Sequence, residues 1–451
     1  MTEAAGILLT VFYVGIFVLI IHKHAFFRSP FISGKFITGI FLLKILAGTI
    51  MYFIYTYYYT NRMEADIFKY FDDSKHFHDV FYKNPKDFFC MLFGIDSSNP
   101  YYDITYYSKM NFWHRTIESN FYNDTHTAIR FNAVVRFFSF GYYHVHTVFV
   151  CFLSLIGLMA VFKTLAAFVK GKEVLLAFAV FLLPSVVFWG SGVLKDGLLL
   201  FALGLMIWQF FLLLEGKSSF WGVTVLGFSL FILLYLKIYI LMAITPGVLA
   251  MIVVKRSGHK FLFLKYFVVL LFCVLCMLNF HLLFPNYPVL ETLALRQQIF
   301  SNLAEVTKPG SAIYIMPLED NVWVFLKAAP LAIFNVLFRP FFFEANSLFV
   351  FMAGMENLLI LLMGVVAFRY SKKWKELDMN IILFCCFFIV LLFLLIGWLT
   401  PVLGAIARYK IPALPFLGFV FIYVLDNKKL MQNRFIKSYK GNKWVDWVVG
   451  Q

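Results

Sequence analysis

The chain has 451 residues, of which 62% are hydrophobic, 20% are aromatic and only 14% are charged. A soluble domain is about half apolar and roughly a quarter charged, so this composition excludes an ordinary water-soluble protein. The formal net charge is +15. The basic residues stand in short loops and at the tail, without a basic groove or a recognisable binding motif, so we do not expect nucleic acid as a partner.

Apolar runs recur along the whole chain. Each is long enough to cross a hydrocarbon core of about 30 Å. The runs are continuous rather than alternating, which predicts helices and not barrel strands. We therefore predict an all-α, polytopic transmembrane helix bundle of about eleven spans, forming a single integral membrane domain over residues 1–451. The predicted spans are residues 5–21, 36–58, 143–162, 174–189, 198–214, 220–236, 239–254, 261–283, 348–368, 381–398 and 411–425.

Lys and Arg residues set the predicted orientation. They follow the first, third, seventh and ninth spans and fill the tail at 426–451, and basic short loops face the cytoplasm. The protein is then expected in the cytoplasmic membrane, with its N-terminus on the outer side and its C-terminus in the cytoplasm. Two long outer loops result, at 60–142 and 284–347, and the second contains an apolar segment at 322–338 that we interpret as an interfacial helix. Long loops in compact proteins are commonly functional.

The first outer loop opens with an acidic cluster directly after the second predicted span. Four carboxylates fall there: Glu64, Asp66, Asp72 and Asp73. At helical spacing Asp66 shares a face with Lys69, Tyr70 and Asp73, whereas Glu64 and Asp72 face elsewhere. The cluster could hold a general base for an acceptor group. Alternatively it is the solvated, charged start of a loop helix, on which we expect Asp72 and Asp73 to be exposed and to tolerate substitution.

A second stretch, Pro184-Ser-Val-Val-Phe-Trp-Gly-Ser-Gly-Val-Leu-Lys-Asp-Gly, lies between two predicted spans. Its glycines allow close approach of another group. Lys195 and Asp196 stand next to each other at membrane depth, where charges are costly unless they are used or paired. The stretch is therefore either a binding turn or a tight outer cap with a mutual ion pair. Lys237 adds another outer cation between apolar runs.

A third stretch, Arg408-Tyr-Lys-Ile-Pro-Ala-Leu-Pro, precedes the last predicted span. Guanidinium groups bind phosphate oxygens in a bidentate manner, so Arg408 and Tyr409 are candidates for contacting a phosphate. Basic side chains that extend to the membrane interface are the alternative. The predicted outer location favours a function, because basic residues are uncommon there.

In their order along the chain, these three stretches resemble the GT-C glycosyltransferase superfamily. The likeness is to the enzymes related to dolichyl-phosphate-mannose protein mannosyltransferases. It implies a membrane hexosyltransferase that moves a sugar from a polyprenyl-phosphate-linked donor to a glycan, lipid or protein acceptor, among membrane lipids. It further implies a catalytic base and a set of substrate-binding residues: Asp66 as the base, and Tyr70, Lys195, Asp196, Lys237, Arg408 and Tyr409. Some family members use a divalent metal ion, and no metal ligands are predicted here.

Two other interpretations stay open. Oligosaccharide polymerases or ligases of the Wzy and EpsG kind share several of these traits. A non-enzymatic flippase or transporter of lipid-linked glycans would more typically show interrupted helices at the membrane midplane. This chain also departs from the family by one additional N-terminal span before the acidic loop.

Overall fold

A computed structural model describes residues 3–59, 61–113, 123–285 and 288–431. Within these ranges the chain is helical and has no strand. The helices are α1 (Glu3–Lys23), α2 (Gly34–Tyr57), α3 (Asp66–Lys83), α4 (Pro85–Phe93), α5 (Pro100–Thr105), α6 (Asp124–Ser139), α7 (Tyr143–Ala166), α8 (Glu173–Phe181), α9 (Pro184–Trp189), α10 (Lys195–Leu214), α11 (Phe220–Leu236), α12 (Ile238–Ser257), α13 (Leu262–Leu278), α14 (Val289–Thr307), α15 (Val322–Phe338), α16 (Leu348–Arg369), α17 (Met379–Leu399), α18 (Leu403–Tyr409), α19 (Leu414–Val424) and α20 (Asn427–Met431).

Eight segments are long and apolar enough to cross a membrane. They are α1, α2, α7, α10, α12, α16, α17 and the segment Leu403–Val424. The prediction of an all-α membrane protein is thereby confirmed. The count of eleven spans stays a prediction, because α11 and α13 have only 17 residues each.

The predicted span at 174–189 is divided in two. Helix α8 ends at Phe181, and α9 begins at Pro184. A proline disfavours the α conformation in the residue before it, which accounts for the break. The chain also leaves the helical conformation at Lys237 (φ −155°, ψ 81°), so α11 and α12 are separate helices and not one bent helix.

The chain forms two compact units. The first comprises Met1–Thr164 and Val186–Ile238, and the second comprises Leu165–Ser185 and Tyr239–Gln451. The interpretation as a single integral membrane domain stays a prediction. In the first unit α3 packs on α6, and α11 packs on both α6 and α10. In the second unit α15 packs on α17, and α19 packs on α8, α16 and α17.

Glycines bring backbones close together in the first unit. A side chain on Gly204 of α10 would overlap the carbonyl of Gly157 on α7, and one on Gly48 of α2 would overlap the carbonyl of Ser191. Small residues permit such contact between helices within a membrane. Because Gly48 is near the middle of α2, the turn that was predicted as an outer cap lies beside the middle of that helix.

Two elements of the second unit bear on the predicted motifs. Helix α15, Val322–Phe338, has the predicted bounds, whereas its interfacial placement stays a prediction. The last predicted span, 411–425, begins with a 3-10 turn over Ile411–Ala413 and continues as α19, Leu414–Val424, while α18 precedes it and ends at Tyr409. Proline lacks the N–H that an uninterrupted helix requires, and Pro412 falls in this turn.

Candidate functional site

The first unit gathers two lysines on one carboxylate. Asp124 opens α6, Lys195 opens α10, and Lys237 directly follows α11. The Lys195 ammonium lies 2.7 Å from one carboxylate oxygen of Asp124, and the Lys237 ammonium lies 2.8 Å from the other. The start of α6 is fixed by Asn123, whose side-chain oxygen accepts the N–H of Thr125 at 2.9 Å. Three helix ends therefore meet at a single carboxylate.

These charges are largely removed from solvent. The side chains of Lys195, Asp124 and Lys237 are 7%, 10% and 18% exposed. Burial alone would raise the pKa of the Asp124 carboxyl, but the ammonium groups of Lys237 and Lys195 outweigh it and hold this pKa well below its usual range. One negative charge between two positive charges leaves an excess positive charge, and its field is strong where water is scarce.

Helix α3 adds the predicted catalytic residue to this group. Asp66 is the first residue of α3 and lies 3.9 Å from the ammonium of Lys69. The Lys195 ammonium stands over the ring of Tyr70, 5.2 Å from its centre, and Asp66 acts electrostatically on Lys195. We call these six residues the Asp124 cluster: Asp66, Lys69, Tyr70, Asp124, Lys195 and Lys237. Four of the predicted site residues thus belong to one cluster of the first unit.

Stacked rings support α3 and the start of α6. Trp113 lies between the rings of Tyr107 and His126, with centroid distances of 4.3 and 3.8 Å. The Lys69 ammonium is 4.7 Å from the centre of the Phe112 ring. Such contacts restrict side-chain freedom and hold the loop against both helices.

The two remaining carboxylates of α3 differ from each other. Asp72 forms an exposed bidentate ion pair with Arg62, with distances of 2.8 and 2.7 Å. The expectation of an exposed Asp73 was wrong: Asp73 is fully buried and accepts the backbone N–H groups of Asn111 and Phe112 at 2.9 and 2.7 Å. Burial raises the pKa of the Asp73 carboxyl. Asp73 thus holds a loop, and this role follows from a fold that local spacing does not reveal.

The other predicted residues lie elsewhere. Asp196 is buried at the second position of α10. Arg408 and Tyr409 are half-buried at the end of α18, in the second unit. The predicted contact of Arg408 and Tyr409 with a phosphate stays a prediction.

Sequence reasoning missed a buried polar network in the second unit. The Glu356 carboxylate of α16 accepts the N–H and the hydroxyl of Ser185 at 2.9 and 2.5 Å. The Lys410 ammonium donates to the side-chain oxygen of Asn357 at 2.5 Å. The side chains of Glu356, Asn357 and Lys410 are at most 5% exposed. A Glu within an apolar run was the sequence signal that could have revealed it.

A buried lysine in α2 was also missed. Lys44 is fully buried, and its ammonium has no hydrogen-bond partner among the described residues. A side chain on Gly190 would lie 3.0 Å from this ammonium. Lys44 therefore depends on the glycine-rich turn for its space.

The donor chemistry of the Asp124 cluster does not fit a divalent metal ion. Calcium and magnesium require several oxygen ligands, whereas the groups beside Asp66 and Asp124 are ammonium groups. Over the described parts of the chain, no group of three or more His, Cys, Asp or Glu residues is arranged to hold a metal.

No protein-family model, curated protein or solved structure matches this chain. The likeness to GT-C enzymes therefore depends on the three short stretches and their order.

Proposed function

We propose that this protein is a membrane glycosyltransferase that uses a polyprenyl-phosphate-linked sugar at the outer face of the cytoplasmic membrane. The observation that carries the proposal is the binding of Lys195 and Lys237 to the same carboxylate, beside Asp66. Two cations that are distant in sequence make a positively charged site at helix ends. An anionic headgroup is the ligand that such a site favours.

The proposed reaction gives each part of the cluster a role. Asp66 takes the proton of the acceptor hydroxyl, whose oxygen then bonds to the anomeric carbon of the sugar. The bond from that carbon to the phosphate oxygen breaks, and the polyprenyl phosphate leaves with the electron pair. The ammonium groups of Lys195 and Lys237 stabilise the charge that develops on the departing phosphate. Asp124 keeps both ammonium groups in place.

Fewer structural contacts support the roles of the remaining predicted residues. Tyr70 supports Lys195 with its ring, and Asp196 follows Lys195 at the start of α10. Arg408 and Tyr409 lie in the second unit, and their contact with a lipid phosphate is proposed from the resemblance alone. A polymerase of the Wzy kind would use the same chemistry with a larger, pyrophosphate-linked donor. The length of the glycan product distinguishes the two.

The substitution Asp66→Asn tests the base directly. Asn keeps the size and one acceptor oxygen but does not take up a proton, so we expect transfer to fall by roughly 10²–10⁴. The Asp66 side chain is 32% exposed and Asn has nearly the same size, so folding should be retained. Turnover is measured on the purified full chain and in the cellular glycan profile. Asp72→Asn is the matched control and should stay active.

The phosphate contacts are tested separately. Arg408→Ala removes a guanidinium that we propose binds the donor, so binding of a polyprenyl monophosphate should weaken together with turnover. If Asp66→Asn and Arg408→Ala both leave the glycan profile unchanged, the glycosyltransferase proposal is wrong.

A transporter of lipid-linked glycans is the second candidate. Buried ionisable residues within membrane-length helices, Lys44 and Glu356, favour it, as does the break between α18 and α19, because transporters use such features. It predicts movement of labelled lipid across vesicles without a new glycosidic bond, and an unchanged rate in Asp66→Asn.

A further inference from the structure

Two adjacent residues of α16 connect stretches that the sequence analysis treated separately. Glu356 accepts both the N–H and the hydroxyl of Ser185, which belongs to the second stretch. Asn357 accepts the ammonium of Lys410, which belongs to the third stretch. One turn of α16 thus holds two segments that the chain separates widely.

The orientation of Asn357 is fixed at both ends of its amide. Its nitrogen donates to the carbonyl of Pro340 at 3.1 Å, so its oxygen faces the Lys410 ammonium. The other acceptor for Lys410 is the carbonyl of Val336 at 3.3 Å. Losing the Asn357 oxygen would therefore leave a buried ammonium with a single long contact, which is strongly unfavourable.

Charge reinforces this arrangement. Glu356, Asn357 and Lys410 are 5%, 2% and 4% exposed, inside segments long enough to span a membrane. The opposite charges of Glu356 and Lys410 attract each other at this depth. Ionisable residues placed there are commonly functional or mutually paired.

We infer that Glu356 and Asn357 are positioning residues that hold the segment Arg408–Lys410 in place. Lys410 stands between the end of α18 and the start of α19. Its N–H still donates to the carbonyl of Ile406 at 3.2 Å, and its side chain adds the contact between this junction and α16. Held there, the segment presents Arg408 and Tyr409 to an anionic lipid headgroup. The identity of that ligand rests on the proposed function, whereas the holding of the segment does not.

Hydrogen exchange of the full chain in detergent tests the holding of the segment. Asn357→Leu should speed exchange in the peptide 403–413 by roughly tenfold or more, because a hydrogen bond to a charged group is lost. Asn357→Asp keeps the oxygen that faces Lys410 but loses the N–H that donates to Pro340, so exchange should lie between that of Asn357→Leu and that of the unaltered chain. Unchanged exchange in Asn357→Leu overturns the inference.

A second variant covers the case in which Asn357→Leu does not fold. Lys410→Met removes the ammonium and should also speed exchange in the peptide 403–413. Exchange as slow as in the unaltered chain would contradict the inference. For Glu356, the change to Leu should release the peptide around Ser185, while Glu356→Gln keeps the acceptor oxygen and should hold it.

Binding of a polyprenyl monophosphate separates this inference from the proposed function. Asn357→Leu should weaken the affinity about tenfold, as we also expect for Arg408→Ala, and Asn357→Asp should recover part of it. If exchange changes as expected while neither Asn357→Leu nor Arg408→Ala alters the affinity, the positioning role stands and the phosphate role of Arg408 fails. If exchange does not change, the positioning role fails whatever the affinity.

Discussion

Asp72 and Asp73 are neighbours on α3 and differ in their surroundings. Asp72 pairs with Arg62 at the surface, and Asp73 accepts two backbone N–H groups in the interior. In Asp73→Asn one of those N–H groups would face the new amide nitrogen, so we expect a loss of about 1–3 kcal/mol of stability. Thermal unfolding of the purified chain measures it. Asp72→Asn should cost less than about 1 kcal/mol, and equal losses would contradict this assignment.

Charged residues within apolar runs were the clearest missed signals at this scale. Lys44 and Glu356 each interrupt a run that otherwise reads as plain membrane helix, and such residues commonly have a function. Asp124 gave no comparable signal. It lies in the segment predicted as the first outer loop. In the structure it begins α6, and the packing of α6 on α11 brings it to Lys195 and Lys237.

Three helix ends depend on Asp124, which makes them sensitive to acid. The carboxyl has a depressed pKa in the folded state. Its stabilising effect is thus fully present above the usual pKa of an aspartate, about 4, and is lost progressively as the pH falls from that value toward the depressed pKa. Unfolding temperatures measured between neutral pH and pH of about 3 should begin to fall below pH of about 4 in the unaltered chain.

Replacement of Asp124 should remove the contribution of this carboxyl to the acid sensitivity. Asp124→Asn takes away the carboxylate that both buried ammonium groups contact and should cost about 3–5 kcal/mol near neutral pH. Asp79→Asn is the matched control, since Asp79 makes an exposed ion pair with Lys75 at 2.8 Å, worth less than about 0.5 kcal/mol. If both variants have the same stability, the cluster does not join the helices.

Contact between α7 and α10 gives a further prediction at the scale of helices. Gly204→Ala would place a methyl group on the carbonyl of Gly157, so the helices must separate and packing is lost along both. We expect a destabilisation of about 1–3 kcal/mol. Gly227→Ala in α11 meets open space and should be neutral or slightly stabilising. Folded yield in the membrane and thermal unfolding compare the two.

Sequence patterns predicted the helices better than their breaks. The bounds of α11 and α15 agree with the predicted segments, because long apolar runs leave few alternatives to a helix. The predicted span at 174–189 was wrong as a continuous helix, since Pro184 interrupts it. The residues of the site come together through contacts between helices that are distant in sequence. Local periodicity does not predict those contacts.

For the whole molecule, the orientation in the membrane is the decisive prediction. The bias of basic residues places the loop with Asn123 outside and the tail with Lys440 inside; Lys440 lies beyond the described residues. A cysteine introduced at position 123 should react with a membrane-impermeant reagent in intact cells, and one at 440 should react only after lysis. The chain has six native cysteines, so the parent chain is the control for background labelling. The same pattern of labelling at both positions would contradict the orientation.

The burial of Lys44 has a consequence for biogenesis. A lysine near the centre of a helix weakens insertion by the translocon by about 2.5–3.5 kcal/mol. The surroundings that enclose Lys44 include Cys151 and Gly190, which are synthesised much later. We therefore expect α2 to remain beside the translocon, exchanging with its aqueous channel, until the chain has been synthesised past Gly190. Only then does the lysine have an enclosed place within the protein, and the early helices settle into the bilayer together with α7 and α10.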